Sequence, residues 1–253
     1  MPFITKRILA PLWQLVYPTL CPMCGYVLKT DEQEFCSECL RKLPRTEEAV
    51  MRDNSLEQMF MKEKKFVRGG AFCFYEKTHP FALAIQEMKY NSRPESGMRL
   101  GAIAAEEWLT SGFFEGIDLL LPLPLHRRRL RERGYNQAEW IARGVSAVTG
   151  IGIDTTHLKR VIDNDRQAHL SKEARKQLPQ IFTITKGEEL RGKHVLIIDD
   201  VVTTGSTIQR AIDVLRPIRG CTFSVFALGL ARDQKSDTHD PGGESEQFSS
   251  STL

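Results

Sequence analysis

Apolar positions along this chain follow two rhythms, helical spacing and short continuous runs. Ile4, Ile8, Leu12 and Leu15 recur at helical spacing and predict a short amphipathic helix that docks on the body of the protein. From "VRGGAFCFYE" onward, strand and helix patterns alternate. Residues 67–76 predict a strand, 79–90 a helix, and 97–111 a second helix carrying Ile103, Ala104 and Trp108. "GIDLLLPLPL" is a short apolar run ended by prolines, the pattern of a buried parallel strand leading into a loop. Residues 135–149 return to helical spacing and stop at Gly150. "HVLIIDD" is another continuous apolar strand, followed by a helix over 206–216 and the strand "TFSVFALGLA". This alternation predicts an α/β domain with a mainly parallel sheet flanked by helices.

Outside these segments the pattern fades, and that sets the expected boundaries. Residues 1–45 read as a small module, 46–66 as a polar, weakly patterned connector, and 67–232 as the α/β domain. Residues 233–253 contain Pro-Gly-Gly, several serines and little to bury, so a disordered tail is expected. A chain of 253 residues can bury one sizeable core with a small appendage. Hydrophobic content of 41% and charged content of 26% are those of an ordinary soluble protein. A net charge of +3 is too mild to imply a nucleic-acid partner by itself. Charge matters locally: "HRRRLRER", residues 126–133, sets five arginines against Glu132. In the first twenty residues, basic positions precede an apolar stretch, but Pro11, Gln14 and Pro18 interrupt it and no small-residue cleavage site follows. The stretch is too short to span a bilayer, and its polar face has few cations for a membrane surface. No transmembrane segment is expected, and the expected compartment is the cytoplasm.

The six cysteines fall into two groups. Cys73 and Cys221 sit alone in apolar runs and read as buried small hydrophobes. Cys21-Pro-Met-Cys24 and Cys36-Ser-Glu-Cys39 form two knuckles separated by eleven residues. Each knuckle aims two thiolates at one centre, and together they supply a tetrahedral four-sulfur shell for zinc. Gly25 suits the tight turn of such a knuckle. With all four positions filled by protein, the metal is structural and orders a module too small for its own core. Redox-active cysteines and an iron–sulfur cluster are the alternatives for the same residues. A disulfide framework is not expected without a secretory signal.

"VLIIDDVVTTGSTI", residues 195–208, carries the most specific chemistry. Neighbouring carboxylates at the end of a buried strand raise each other's cost of ionisation, so their presence calls for a reason. In an open α/β sheet, ligands bind at the carboxyl ends of strands, where Asp199 and Asp200 stand. Thr203, Thr204, Gly205, Ser206 and Thr207 form the turn into the next helix, where N–H groups and the helix dipole favour an anion. Small residues let the backbone close around a phosphate, and hydroxyls add donors. The carboxylates repel that phosphate but accept hydrogen bonds from sugar hydroxyls, directly or through Mg²⁺. The segment matches a ribose 5-phosphate, with the acids on the 2′ and 3′ hydroxyls and the loop on the 5′-phosphate. A P-loop is excluded because GxxxxGK[ST] does not occur.

The same stretch resembles the whole signature of type I phosphoribosyltransferases: apolar strand, two acids, two apolar residues beginning at Val201, then Thr-Thr-Gly-x-Thr. "LLPLPLHRRRLRERGYNQAEWIA", "MKYNSRPESGMRLG", "LKRVIDNDRQAHLSKEARKQLPQIF" and the four-cysteine module are similar to the ComF/ComFC family of competence-associated proteins. This resemblance runs from the N-terminal helix to about Arg232. Arg160, Gln167, Leu170, Arg175 and Phe182 stand at family-like spacing, while Asn164 and Leu178 depart from the residues the family carries there.

The resemblance implies a type I phosphoribosyltransferase-like sheet with a small N-terminal zinc-ribbon-like module. It implies that phosphoribosyl pyrophosphate is bound with Mg²⁺ by Asp199, Asp200, Val201 and Thr203 to Thr207. The loop Pro122, Leu123, Pro124, Leu125, His126 and Arg127 would face pyrophosphate, and a mobile loop over 162–175 would close with Arg166, Gln167, His169 and Arg175. Phosphoribosyl transfer needs no protein nucleophile, so no catalytic residue is assigned. The implied role is support of single-stranded DNA handling in natural transformation, with competence helicase machinery as a partner. An active transferase on an unidentified acceptor, and a nucleic-acid adaptor with a vestigial sugar-phosphate site, are the other readings. Arg127, Arg128, Arg129, Arg131 and Arg133 either neutralise pyrophosphate, contact DNA phosphates or form a solvated basic loop. Tyr135 either stacks on a base or packs half-buried, Asn136 is positioned as an N-cap, and Lys89 at a helix end complements the dipole. His79, His157 and His194 show no partner pattern.

Overall fold

A computed structural model describes residues 18–90, 93–162 and 180–231. The expected N-terminal helix with Ile4 to Leu15 and the tail over 233–253 lie outside them. In chain order the described elements are α1 (Ser37–Arg41), α2 (Ser55–Phe60), β1 (Phe66–Tyr75), α3 (Pro80–Tyr90), α4 (Pro94–Trp108), β2 (Leu119–Pro122), α5 (Arg127–Arg133), α6 (Gln137–Thr149), β3 (Leu158–Arg160), β4 (Phe182–Ile184), β5 (His194–Val202), α7 (Ser206–Leu215) and β6 (Thr222–Ala231). The four apolar strands form one sheet in the order β1-β6-β5-β2, every pair parallel. Strands β3 and β4 pair antiparallel as a separate small sheet. No helix among the described residues is long and apolar enough to cross a membrane.

Both faces of the sheet are covered, which is why its strands read as unbroken apolar runs. Leu196 and Ile198 of β5 pack into one cluster with Leu100, Ile141 and Val145. Val195 and Ile197 point the other way, to Ile208, Ile212 and Leu215 of α7. Cys73 and Cys221 are fully buried, one on each face.

Helices α4 and α6 cross where two glycines let their backbones meet. A Cβ on Gly144 would stand 2.6 Å from Ala102 N and closer still to the carbonyl oxygen of Met98. A helical alanine gains about 1 kcal/mol over glycine. Overpacking against rigid backbone costs about 3 kcal/mol, so the clash wins. Gly144→Ala is therefore expected to lower the unfolding free energy by about 2 kcal/mol in urea titration, opposite to the usual helix result.

The segment expected as a weakly patterned connector is ordered and packed. Leu56 and Phe60 of α2 are buried in the second cluster. Polar side chains fasten the rest. Asn54 Oδ1 caps α2 by accepting from Glu57 N at 2.9 Å, while its Nδ2 donates to Gly69 O at 2.8 Å. Glu48 accepts from Ala71 N at 2.8 Å. This anchoring runs through polar residues that satisfy backbone groups, so hydrophobic periodicity gives no sign of it.

His194 ties β5 to its surroundings. Nδ1 lies 3.1 Å from Gly116 O, which only accepts, so Nδ1 carries the proton and Nε2 accepts from Ser224 Oγ at 2.8 Å. Burial holds the imidazole below its usual pKa. A depressed histidine favours the neutral form, so its stabilisation is present above the unfolded pKa of about 6.5 and is lost as pH falls through and below it. Stability is expected to drop on acidification from neutral pH. His194→Gln should flatten that part of the pH–stability curve; an unchanged slope would count against this role.

Candidate functional site

Two loops leave the carboxyl edge of the sheet from adjacent strands. Pro122 of β2 pairs with Ile198 of β5, and Leu123 N donates to Ile198 O at 2.9 Å. The chain after Pro122 therefore departs beside Asp199, the arrangement in which open α/β sheets bind ligands. Pro122 and Leu123 are themselves buried, so only their backbone can face a ligand, whereas Pro124, Leu125 and His126 are half-buried and Arg127 is exposed.

Asp199 and Asp200 end the apolar part of β5. Each is turned back on the chain: Asp199 Oδ1 accepts from Asp200 N at 2.9 Å and Asp200 Oδ1 from Val201 N at 2.7 Å. Burial, then the charge of Asp200, pushes the Asp199 carboxyl up to about 8. Lys89 at the end of α3 relieves the crowding, its Nζ standing 2.7 Å from Asp200 Oδ2. Burial opposes the charge of Lys89, but Asp200 outweighs it and holds the ammonium above its usual pKa. Lys89 thus belongs to the acid pair; helix-dipole complementarity does not describe its place.

The turn after the acids opens onto α7 through Gly205, whose φ of +70° is left-handed. No side chain caps this helix end, and Thr204 Oγ1 donates to Ser206 Oγ at 3.1 Å. Thr203, Thr204 and Ser206 are exposed and Thr207 half-buried, so hydroxyls and backbone N–H groups gather where an anion would sit. Helix α2 backs the turn: a Cβ on Gly205 would stand 3.0 Å from Phe60 Cζ and 3.4 Å from Met59 Sδ. Gln209 and Arg216 of the α7 segment reach Glu63 at 2.8 and 2.7 Å, which fixes the same contact from outside.

The Gly134-Tyr135-Asn136-Gln137 corner joins these parts. Asn136 precedes α6, yet its side chain makes no cap; Nδ2 donates instead to Leu123 O at 3.0 Å. The Tyr135 hydroxyl donates to Met88 O, and Gln137 Nε2 approaches the same carbonyl at 3.5 Å. One corner thereby holds both the loop after β2 and the end of α3 that carries Lys89. The arginine run forms the helix α5 between His126, which accepts from Arg128 N at 3.4 Å, and left-handed Gly134. The run is thus a helix rather than a loop, and most of its side chains stay exposed. Arg128 pairs with Glu132 at 2.9 Å along this helix, while Arg133 turns toward Gln137. Arg166, Gln167, His169 and Arg175 lie outside the described residues. His157 lies between Asp154 and Glu189, the latter at 3.0 Å from Nε2, beside the antiparallel β3–β4 pair.

At the other end of the chain, the sulfurs of Cys21, Cys24, Cys36 and Cys39 all lie within 4.8 Å of one another. Cys24 Sγ and Cys36 Sγ are 3.7 Å apart. Four sulfurs at about 2.3 Å from one zinc stand about 3.8 Å apart, so the cluster fits a tetrahedral ion. None of the four is in a disulfide. Gly25 takes a left-handed φ of +73° and Gly25 N donates to Cys21 O at 2.8 Å, closing the first knuckle. Burial, and the neighbouring sulfurs of Cys24 and Cys36, raise the Cys39 thiol, a crowding that a divalent cation would relieve. Cys21, Met23, Phe35, Cys36 and Leu43 pack into the same cluster as α4 and α6. Arg45 adds a two-pronged bond to Glu107, 2.7 Å on each arm.

Comparison with known proteins agrees with this layout. The family model described as a phosphoribosyl transferase domain matches residues 133–248. The DNA utilization protein YhgH of Salmonella typhimurium is 27% identical over 214 residues, covering 83% of this chain and 83% of its own. Competence protein F of Haemophilus influenzae is 26% identical over 216 residues, covering 83% of this chain and 84% of its own. Competence protein ComFC of Bacillus subtilis is 32% identical over 114 residues, 45% of this chain and 44% of that one. The solved glutamine phosphoribosylpyrophosphate amidotransferase from B. subtilis overlaps 56% of this chain and 30% of its own at 21% identity, with a TM-score of 0.40, a likeness too slight to argue from.

Proposed function

The chain belongs to the ComF/ComFC family and carries a phosphoribosyltransferase-like domain, and from that premise we propose that it binds phosphoribosyl pyrophosphate with Mg²⁺ in the service of single-stranded DNA handling. One observation carries the proposal: the Asp199–Asp200 pair ends a buried strand directly before a left-handed glycine turn onto an uncapped helix. In this reading the two carboxylates accept hydrogen bonds from the ribose 2′ and 3′ hydroxyls. The turn from Thr203 to Thr207 donates backbone and hydroxyl hydrogens to the 5′-phosphate. Pro124 to Arg127 face the pyrophosphate from the neighbouring strand, where arginine charge favours a polyanion. Asp199 and Asp200 are the residues that would hold Mg²⁺, which when bound would supply neutralisation of phosphate charge. Lys89 holds the Asp200 carboxylate in place before the ligand arrives. The four cysteines hold one structural zinc that fastens the N-terminal segment to the core.

Names of the relatives support the setting: two are competence proteins and one a DNA utilization protein. Helix α5 supports a nucleic-acid role through Arg127, Arg128, Arg129, Arg131 and Arg133, on the same edge as the crevice. Isothermal titration of the full chain with phosphoribosyl pyrophosphate and Mg²⁺ tests the central claim. Saturable binding is expected, and its absence would sink the reading.

A further inference from the structure

Tyr90 closes α3 with 71% of its surface open to water, more than any other aromatic side chain among the described residues. It is nevertheless held. The guanidinium of Arg133 lies over its ring, 5.3 Å from the centroid. Arg133 is in turn fixed from behind by Gln137 Oε1 at 3.1 Å. The backbone beneath is pinned by Tyr135 and Gln137 at Met88 O. The preceding residue, Lys89, reaches Asp200. An exposed cation–π pair contributes only about 0.5–1 kcal/mol, so fold stability gives little reason to hold a bare ring here.

We propose that Tyr90, stacked with Arg133, is the platform for a nucleobase at the rim of the crevice. Every base presents a π-face, and an aromatic ring beside an arginine plane offers both stacking and cation–π attraction. Helix α5 begins nearly two turns before Arg133 with exposed Arg127 and Arg128, where the phosphates flanking such a base are neutralised. Tyr135 does not take this role, because its ring is half-buried and its hydroxyl is engaged by Met88 O. The zinc module borders the same rim: Arg93, three residues past Tyr90, donates to Leu20 O at 3.0 Å. The ligand is thus a nucleobase on a sugar phosphate, delivered either as a free nucleotide or within a single strand. The placement rests on the sugar-phosphate reading for what fills the adjoining crevice.

The test titrates the full chain, wild type, Tyr90→Ala and Tyr90→Phe, with deoxythymidine monophosphate and with a labelled oligothymidine of about 12 nucleotides. Tyr90→Ala is expected to weaken binding of at least one ligand by about 5- to 100-fold, whereas Tyr90→Phe keeps the π-face and binds as wild type does. A loss confined to the oligomer identifies a strand; a loss for the mononucleotide identifies a free nucleotide. Equal affinities for Tyr90→Ala and wild type on both ligands overturn the proposal, as does a wild type that binds neither. Melting temperature confirms that the variants fold, which an exposed position permits. Phosphoribosyl pyrophosphate titration of the wild type reports on the crevice separately, so failure there is distinguishable from failure of the platform.

Discussion

Replacing Asp199 and Asp200 together by asparagine is expected to weaken phosphoribosyl pyrophosphate binding by about 100-fold or more, since hydrogen bonds to charged groups contribute about 1.5–3 kcal/mol each. Asparagine keeps the shape of the side chain, so the strand and turn should persist while the charge that draws sugar hydroxyls is lost. Lys89 would then lose the negative charge of its 2.7 Å partner, a further loss confined to the site. The wild-type pH profile gives an independent arm. Burial and Asp200 push the Asp199 carboxyl up to about 8, so near neutrality the pair retains a proton. Binding calls for the ionised pair and expels that proton; affinity therefore rises as pH climbs through about 8 and falls on the acid side. Titration in two buffers of different ionisation enthalpy should reveal proton release in the wild type and none in the double variant. Unchanged affinity in the double variant would remove the acids from the site.

Stripping the metal from the four-cysteine cluster should have the largest effect on stability. Metal analysis of the native chain should find about one zinc per chain. Structural zinc contributes on the order of 10 kcal/mol in small modules, although a module attached to a larger core loses only part of that. Cys21 and Cys36 are nearly inaccessible to solvent and share their cluster with Leu100, Ile141 and Phe226, so disorder in the knuckles opens the core beside them. A loss of about 3 kcal/mol corresponds to a melting temperature about 10 °C lower for a chain of this size. Cys36→Ser and chelation should give the same drop, and re-adding zinc should restore only the chelated protein. A metal-free chain that melts at the same temperature would show that the cysteines staple nothing.

The parts of this molecule that could be read from sequence are those whose determinants are local. Strands β5 and β6 announce themselves as unbroken apolar runs because both faces are buried. The turn after Asp200 is legible because its acids, glycine and hydroxyls stand within a few residues of one another. Lys89 was hidden for the opposite reason: its partner lies on a different strand far along the chain, and a lysine at a helix end has an ordinary explanation ready. Helix α5 lacks an apolar face, so its arginines carry no periodicity; its termini at His126 and Gly134 define it instead. The support of Gly205 by Phe60 depends on a segment buried through Asn54 and Glu48, residue types that normally mark a solvated linker.

Tyr135, Asn136 and Gln137 follow one another in the chain yet bind two separate elements, Met88 O at the end of α3 and Leu123 O in the loop after β2. They therefore act as a mechanical linkage as well as a set of anchors. Displacing the end of α3 would pull on the loop after β2 through three adjacent residues, too short a lever to absorb the strain. The acid-pairing lysine and the loop beside Asp199 consequently shift together, and substitutions at Asn136 and Lys89 should combine non-additively although the two side chains make no contact described between them.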